Sequence, residues 1–226
     1  MGPEGRVSDV DPFVFLGCLE LRELLAFEAH DVRELGEQLE RVPAESIFCH
    51  VAAVLMHRSA LTETYPNDFA LWVGSEVRDA RLAERLSAVD PFSSDSMERV
   101  REELVSTIGD HLRHLSAAPP PSLGQPFRFF RTHLVAVPTG HQARTLREFR
   151  DALAEVDASA LFYHIIDGRY RPGHGRSDFV EWVDRTLASP ELAERLAHID
   201  PGVGNLERIR DRHLRVLTDA LEREAR

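Results

Sequence analysis

Two histidines, His50 and His164, are the first residues in this 226-residue chain whose type and placement suggest chemistry. They close similar runs, Ile47-Phe48-Cys49-His50 and Leu161-Phe162-Tyr163-His164, and imidazole is the usual proton shuttle and metal ligand near neutral pH. Asp68 and Asp178 follow in the same order, each one residue before a Phe and four before a Trp. A carboxylate beside a buried imidazole can act as a base or a ligand. Both types also have plainer uses. A histidine on the flank of an apolar stripe serves as a hydrogen-bonded interface residue, and an Asp at a helix start favours the positive end of the helix dipole. Neither an HExxH motif nor a close Cys and His cluster supplies further ligands, so no metal and no cofactor is assigned.

Between His164 and Asp178 runs a glycine-rich, locally basic stretch with Asp167, Gly168, Arg169, Arg171, Gly173, His174, Gly175 and Arg176. Guanidinium groups on a pliable loop suit a phosphate or carboxylate, so Arg169, Arg171, His174 and Arg176 are the ligand-binding candidates, although a solvated turn has the same composition. The run matches neither GxGxxG nor a phosphate loop. Nucleophilic catalysis has no motif, because no GxSxG elbow occurs and Cys18 and Cys49 have no counterparts.

The elements that must position these residues come twice, about 110 residues apart. Leu82-Ala83-Glu84-Arg85-Leu86 with Asp90-Pro91 is repeated as Leu192-Ala193-Glu194-Arg195-Leu196 with Asp200-Pro201. This reads as a tandem duplication: a flexible N-terminus over 1–11, one copy over 12–115, a proline-rich linker over 116–126 and a second copy over 127–226. Each copy opens with an aromatic run, Phe13-Val14-Phe15-Leu16 or Phe127-Arg128-Phe129-Phe130, that suits a short strand. Five helices follow. Asp31 to Glu34 and Thr145 to Glu148 read as capping boxes ahead of the stripes Val32, Leu35, Leu39, Val42 and Leu146, Phe149, Leu153, Val156. The second helix carries the histidine, with a buried strand as the alternative reading there. Asn67 or Ser177 caps the third, whose Trp72 or Trp182 has core spacing; Asp79, or Ser189 with Pro190, starts the fourth; and Asp95 with Glu98 caps the first version of the fifth. The expected fold class is mainly α, a tandem duplication of a five-helix repeat, each copy opened by a short β-strand and related to the other by a pseudo-twofold, with the copies packed as one unit.

Composition narrows the function. A formal net charge of -11 disfavours nucleic-acid backbones and anionic membranes, which need concentrated basic surface. All 27 basic residues are arginine, which excludes lysine Schiff-base and phosphate-loop lysine chemistry. Met1 to Val10 has no apolar signal-peptide core, and two cysteines without matching partners suit a reducing compartment, so a soluble cytoplasmic protein is expected.

These residues together resemble the prokaryotic family called domain of unknown function 5752 (DUF5752). The resemblance rests on Phe48 with His50 and Phe162, Tyr163 and His164; on Asn67-Asp68-Phe69-Ala70 with Trp72; and on the LAERL and Asp-Pro motifs of both copies. Ser177 departs from the family's usual Asn. The resemblance implies the fold and no activity.

The leading expectation is a non-catalytic binding or regulatory module for a protein partner or a small acidic ligand, held between the two halves, with 168–176 as its recognition surface. The alternative is a metal-dependent or acid–base enzyme with a site around His50 and His164 where the copies meet.

Overall fold

A computed structural model describes residues 11–57, 65–94, 96–115, 123–171, 173–202 and 204–225. The expected N-terminal stretch 1–10, most of the 116–126 linker and the Asp95 cap lie outside these residues. Strand β1 (Phe13–Ala29) leads to helices α1 (Val32–Leu39), α2 (Ala44–Val51), α3 (Asp68–Trp72), α4 (Ala80–Ser87) and α5 (Met97–Arg113). Strand β2 (Phe127–Ala143) leads to α6 (Leu146–Glu155), α7 (Ala158–Leu161), α8 (Gly168–Tyr170), α9 (Asp178–Arg185), α10 (Pro190–Ala197) and α11 (Leu206–Glu224).

The expected mainly α repeat opened by short strands is overturned. The strands are 17 residues each and pair as a two-stranded antiparallel sheet, with about 59% of the chain helical. The physical reason lies beyond the aromatic runs. Leu19 to Ala29 is rich in Leu, Glu and Ala, which have weak strand preference, and only pairing with the other strand satisfies their backbone groups in extended form. Tertiary pairing thus overrides local propensity.

The chain divides into two compact units. The His164 unit comprises Met1–Cys18, Ala136–Pro201 and Leu206–Arg226; the His50 unit comprises Leu19–Val135 and Gly202–Asn205. Each unit therefore owns the end of one strand and the start of the other.

In the His50 unit, α1 starts where Asp31 Oδ1 accepts the Glu34 N–H at 2.9 Å, and α3 starts where Asn67 Oδ1 accepts the Ala70 N–H at 2.9 Å. Asp79 caps α4 through the Leu82 N–H at 2.9 Å, and Ser96 caps α5 through the Arg99 N–H at 3.4 Å. These caps satisfy amides that have no partner within the helix. Val32, Leu35, Leu39, Ile47, Phe69, Leu82, Leu86, Leu104 and Phe129 are all buried in this unit's core. The Trp72 indole is buried and donates to the Gln125 carbonyl at 2.9 Å.

In the His164 unit, Thr145 and Glu148 form a reciprocal capping box at the start of α6, and Ser177 Oγ accepts the Val180 N–H at 3.3 Å at the start of α9. Its core is aromatic, with the Phe13 and Phe149 rings in contact with each other and each in contact with Phe15, Phe179 and Trp182. The histidine-bearing segment is less regular than a single helix. Here α7 passes into a π-helical stretch over Phe162–Asp167 before α8, a local widening frequently found at functional sites. No helix among the described residues is long and apolar enough to cross a membrane.

Candidate functional site

In the His50 unit, α2 places His50 with its side chain 2% exposed. Its Nδ1 lies 2.8 Å from Asp68 Oδ2, and its Nε2 accepts the Phe130 N–H at 3.0 Å. The amide decides the tautomer. An N–H can be met only by a bare nitrogen, so the proton sits on Nδ1 and is donated to Asp68. Phe127 and Phe69 surround the ring at centroid distances of 4.9 and 5.3 Å. Burial lowers the His50 pKa, and the bond to Asp68 only partly offsets it. Asp68 is available because the Asn67 cap sets it in the first turn of α3. Arg22, on β1, lies 3.9 Å from Asp68 with its guanidinium 4.8 Å from the centre of the Phe130 ring.

The His164 unit repeats the arrangement with its own parts. His164 Nδ1 lies 2.7 Å from Asp178 Oδ2, and its Nε2 accepts the Leu16 N–H of β1 at 2.9 Å. Burial again lowers the imidazole pKa. Arg171 supplies the cation, reaching Asp178 Oδ2 through Nη1 at 2.8 Å, Asp167 Oδ2 through Nε at 2.8 Å and the Tyr163 carbonyl through Nη2 at 2.7 Å. It also lies 4.0 Å over the Tyr163 ring. For Asp178 burial favours the neutral acid, but the His164 bond and the Arg171 charge prevail and hold its carboxyl below the ordinary range. Burial raises Asp167.

Each imidazole thus has both nitrogens committed, one to a carboxylate and one to a strand amide. This geometry is that of an anchor: it fastens the strand to the helices and satisfies a ladder amide that a two-stranded sheet leaves unpaired. Among the described residues, no group of three or more His, Cys, Asp or Glu side chains is arranged to hold a metal ion.

The ligand candidates separate. Arg171 turns inward to the Asp167 and Asp178 carboxylates, and His174 Nδ1 lies 3.2 Å from Glu181. Arg169 and Arg176, with Gly175 and Ser177, border a cavity of about 120 Å³. Its apolar wall includes Ile165, Val180, Leu196 and Ile199, and His213 of α11 also lines it. Arg176 makes a 3.0 Å hydrogen bond to Asp184. Nothing in the motif reading pointed to His213. The available signal was its register, since Leu206, Ile209, His213 and Leu217 recur at helical spacing and all are buried.

A second cavity, of about 200 Å³, lies in the His50 unit between Glu20, Arg22, Cys49, His57, Tyr65 and Asp68. Glu20 is paired with His57 and accepts from Thr132 Oγ1 at 2.9 Å. Burial pushes the Cys49 thiol pKa up, which keeps it protonated. Glu20, Arg22 and His57 were also missed, because only strand pairing brings β1 to this position.

The DUF5752 profile, described as a family of unknown function, matches residues 10–218. The chain belongs to that family. This DUF5752 protein is similar to the solved structure of OrfY from Thermoproteus tenax, with 30% sequence identity, a TM-score of 0.82, and coverage of 93% of this chain and 95% of that one. No curated protein matches the DUF5752 chain.

Proposed function

We propose that this chain is a non-catalytic binding module for a small acidic ligand, taken up at the cavity bordered by Arg169 and Arg176. The observation that carries the reading is the composition of that cavity: two guanidinium-bearing residues at its edge and a largely aliphatic wall behind them. A small carboxylate needs those two kinds of surface, an apolar pocket with a few convergent polar groups. Of the 168–176 stretch, Arg169 and Arg176 thus have the recognising role, while Arg171 braces the His164 anchor through Asp178. The enzymatic alternative finds little support in histidines whose two nitrogens are both engaged.

The imidazole, carboxylate and strand amide recur in each unit, which supports descent from a tandem duplication. Cys18 and Cys49 are buried and form no disulfide, which supports a reducing, cytoplasmic setting.

Calorimetric titration of the full chain with short-chain carboxylates and with inorganic phosphate tests the proposal. Saturable binding of a carboxylate, weakened at least tenfold in an Arg169→Ala, Arg176→Ala double variant of unchanged thermal stability, is the expected result. No binding of either anion class, or binding indifferent to both substitutions, overturns it.

A further inference from the structure

The same cavity contains a group that a plain carboxylate site does not need. His213 is 1% exposed, and its Nδ1 lies 2.8 Å from the Ile209 carbonyl one turn earlier in α11. A carbonyl only accepts, so the proton is on Nδ1 and Nε2 carries a bare lone pair. That nitrogen is the one not engaged by the Ile209 carbonyl, and the side chain lines the cavity. The edge of Phe179 sits against the ring at a centroid distance of 5.9 Å and offers no hydrogen bond. Burial lowers the His213 pKa to about 4, so at neutral pH Nε2 acts purely as an acceptor.

Resting on the carboxylate reading above, we infer that His213 Nε2 accepts a hydrogen bond from the ligand, and that the ligand class is short-chain hydroxycarboxylates. Each part of such a molecule has a counterpart. The carboxylate faces Arg169 and Arg176; the alkyl chain lies along Ile165, Val180, Leu196 and Ile199; and the hydroxyl donates to His213. A small cavity, of about 120 Å³, suits an acid the size of hydroxybutanoate. Discrimination follows from the buried lone pair. A site built to bond a hydroxyl disfavours the analogue that lacks it, because the acceptor is then enclosed without a donor.

The test compares 2-hydroxybutanoate and 3-hydroxybutanoate with butanoate by calorimetry on the full chain, and follows the ¹⁵N resonance of His213 Nε2 by NMR. At least one hydroxy acid is expected to bind tenfold or more tighter than butanoate, with a shift of that resonance that butanoate does not cause. In His213→Phe the preference should vanish while butanoate binding remains. The resonance measurement needs no variant and decides the matter if His213→Phe does not fold. Equal binding of all three acids with an unmoved resonance overturns the hydroxyl inference and leaves the carboxylate site standing. Binding of none overturns both.

Discussion

His50 Nε2 accepts the backbone N–H of Phe130 at 3.0 Å, so a side chain of α2 takes the place of a third strand for an amide of β2. The Asp68 carboxylate holds the ring in the tautomer that makes this bond. Replacing His50 with Ala should leave that amide without a partner beside Phe69 and Phe127 and take from Asp68 its imidazole donor, at a cost of about 2–4 kcal/mol. Denaturant unfolding measures the loss, and faster hydrogen exchange at the Phe130 amide localises it. An unchanged exchange rate would contradict the anchoring role. His164→Ala should act likewise on Leu16.

Acid should destabilise the fold in a window set by its buried histidines. His50, His164 and His213 all have folded pKa values below the ordinary 6.5 of an imidazole. The unfolded chain therefore binds more protons than the folded one as pH falls below about 6.5, and stability declines with it. For His213 the decline continues to about pH 4 and amounts to roughly 3 kcal/mol by linkage. Asp167, raised by burial, works in the opposite direction. Urea midpoints between pH 7 and 4 should slope downward, and the slope should be shallower in His213→Leu. Parallel slopes would show that His213 is not the group titrating.

Gly168 touches the second anchor from behind. A Cβ at this position would lie 2.9 Å from Asp178 Oδ1 and 3.4 Å from the Asp178 backbone nitrogen. The carboxylate cannot simply retreat, because its other oxygen is held by His164 and Arg171. Gly168→Ala should therefore cost about 1–3 kcal/mol by overpacking and should displace the His164 ring resonances. A variant as stable as the parent, with those resonances unmoved, would show that the site has more room than this geometry gives it.

Much of the anchor was legible in the chain. His50 with Asp68 and His164 with Asp178 stand out as positions repeated in order, and the caps Asn67 and Ser177 follow from side chains that accept a first-turn amide. Those are local effects, spanning three or four residues. The anchors' partners were not legible. Phe130 is 80 residues from His50, Leu16 is 148 from His164, and a backbone amide has no sequence signature.

By itself the sequence determined what local spacing and side-chain chemistry determine: helix starts, apolar stripes, the paired His and Asp positions and the arginine-bearing glycine stretch. Only the tertiary structure decided that Leu19 to Ala29 is strand, that Arg171 braces Asp178 while Arg169 and Arg176 border a cavity, and that His213 lines it. The reason is physical. Helical signals are carried by neighbours along the chain, whereas strand pairing, ion-pair choice and burial of a polar ring are set by groups that meet only once the chain has folded.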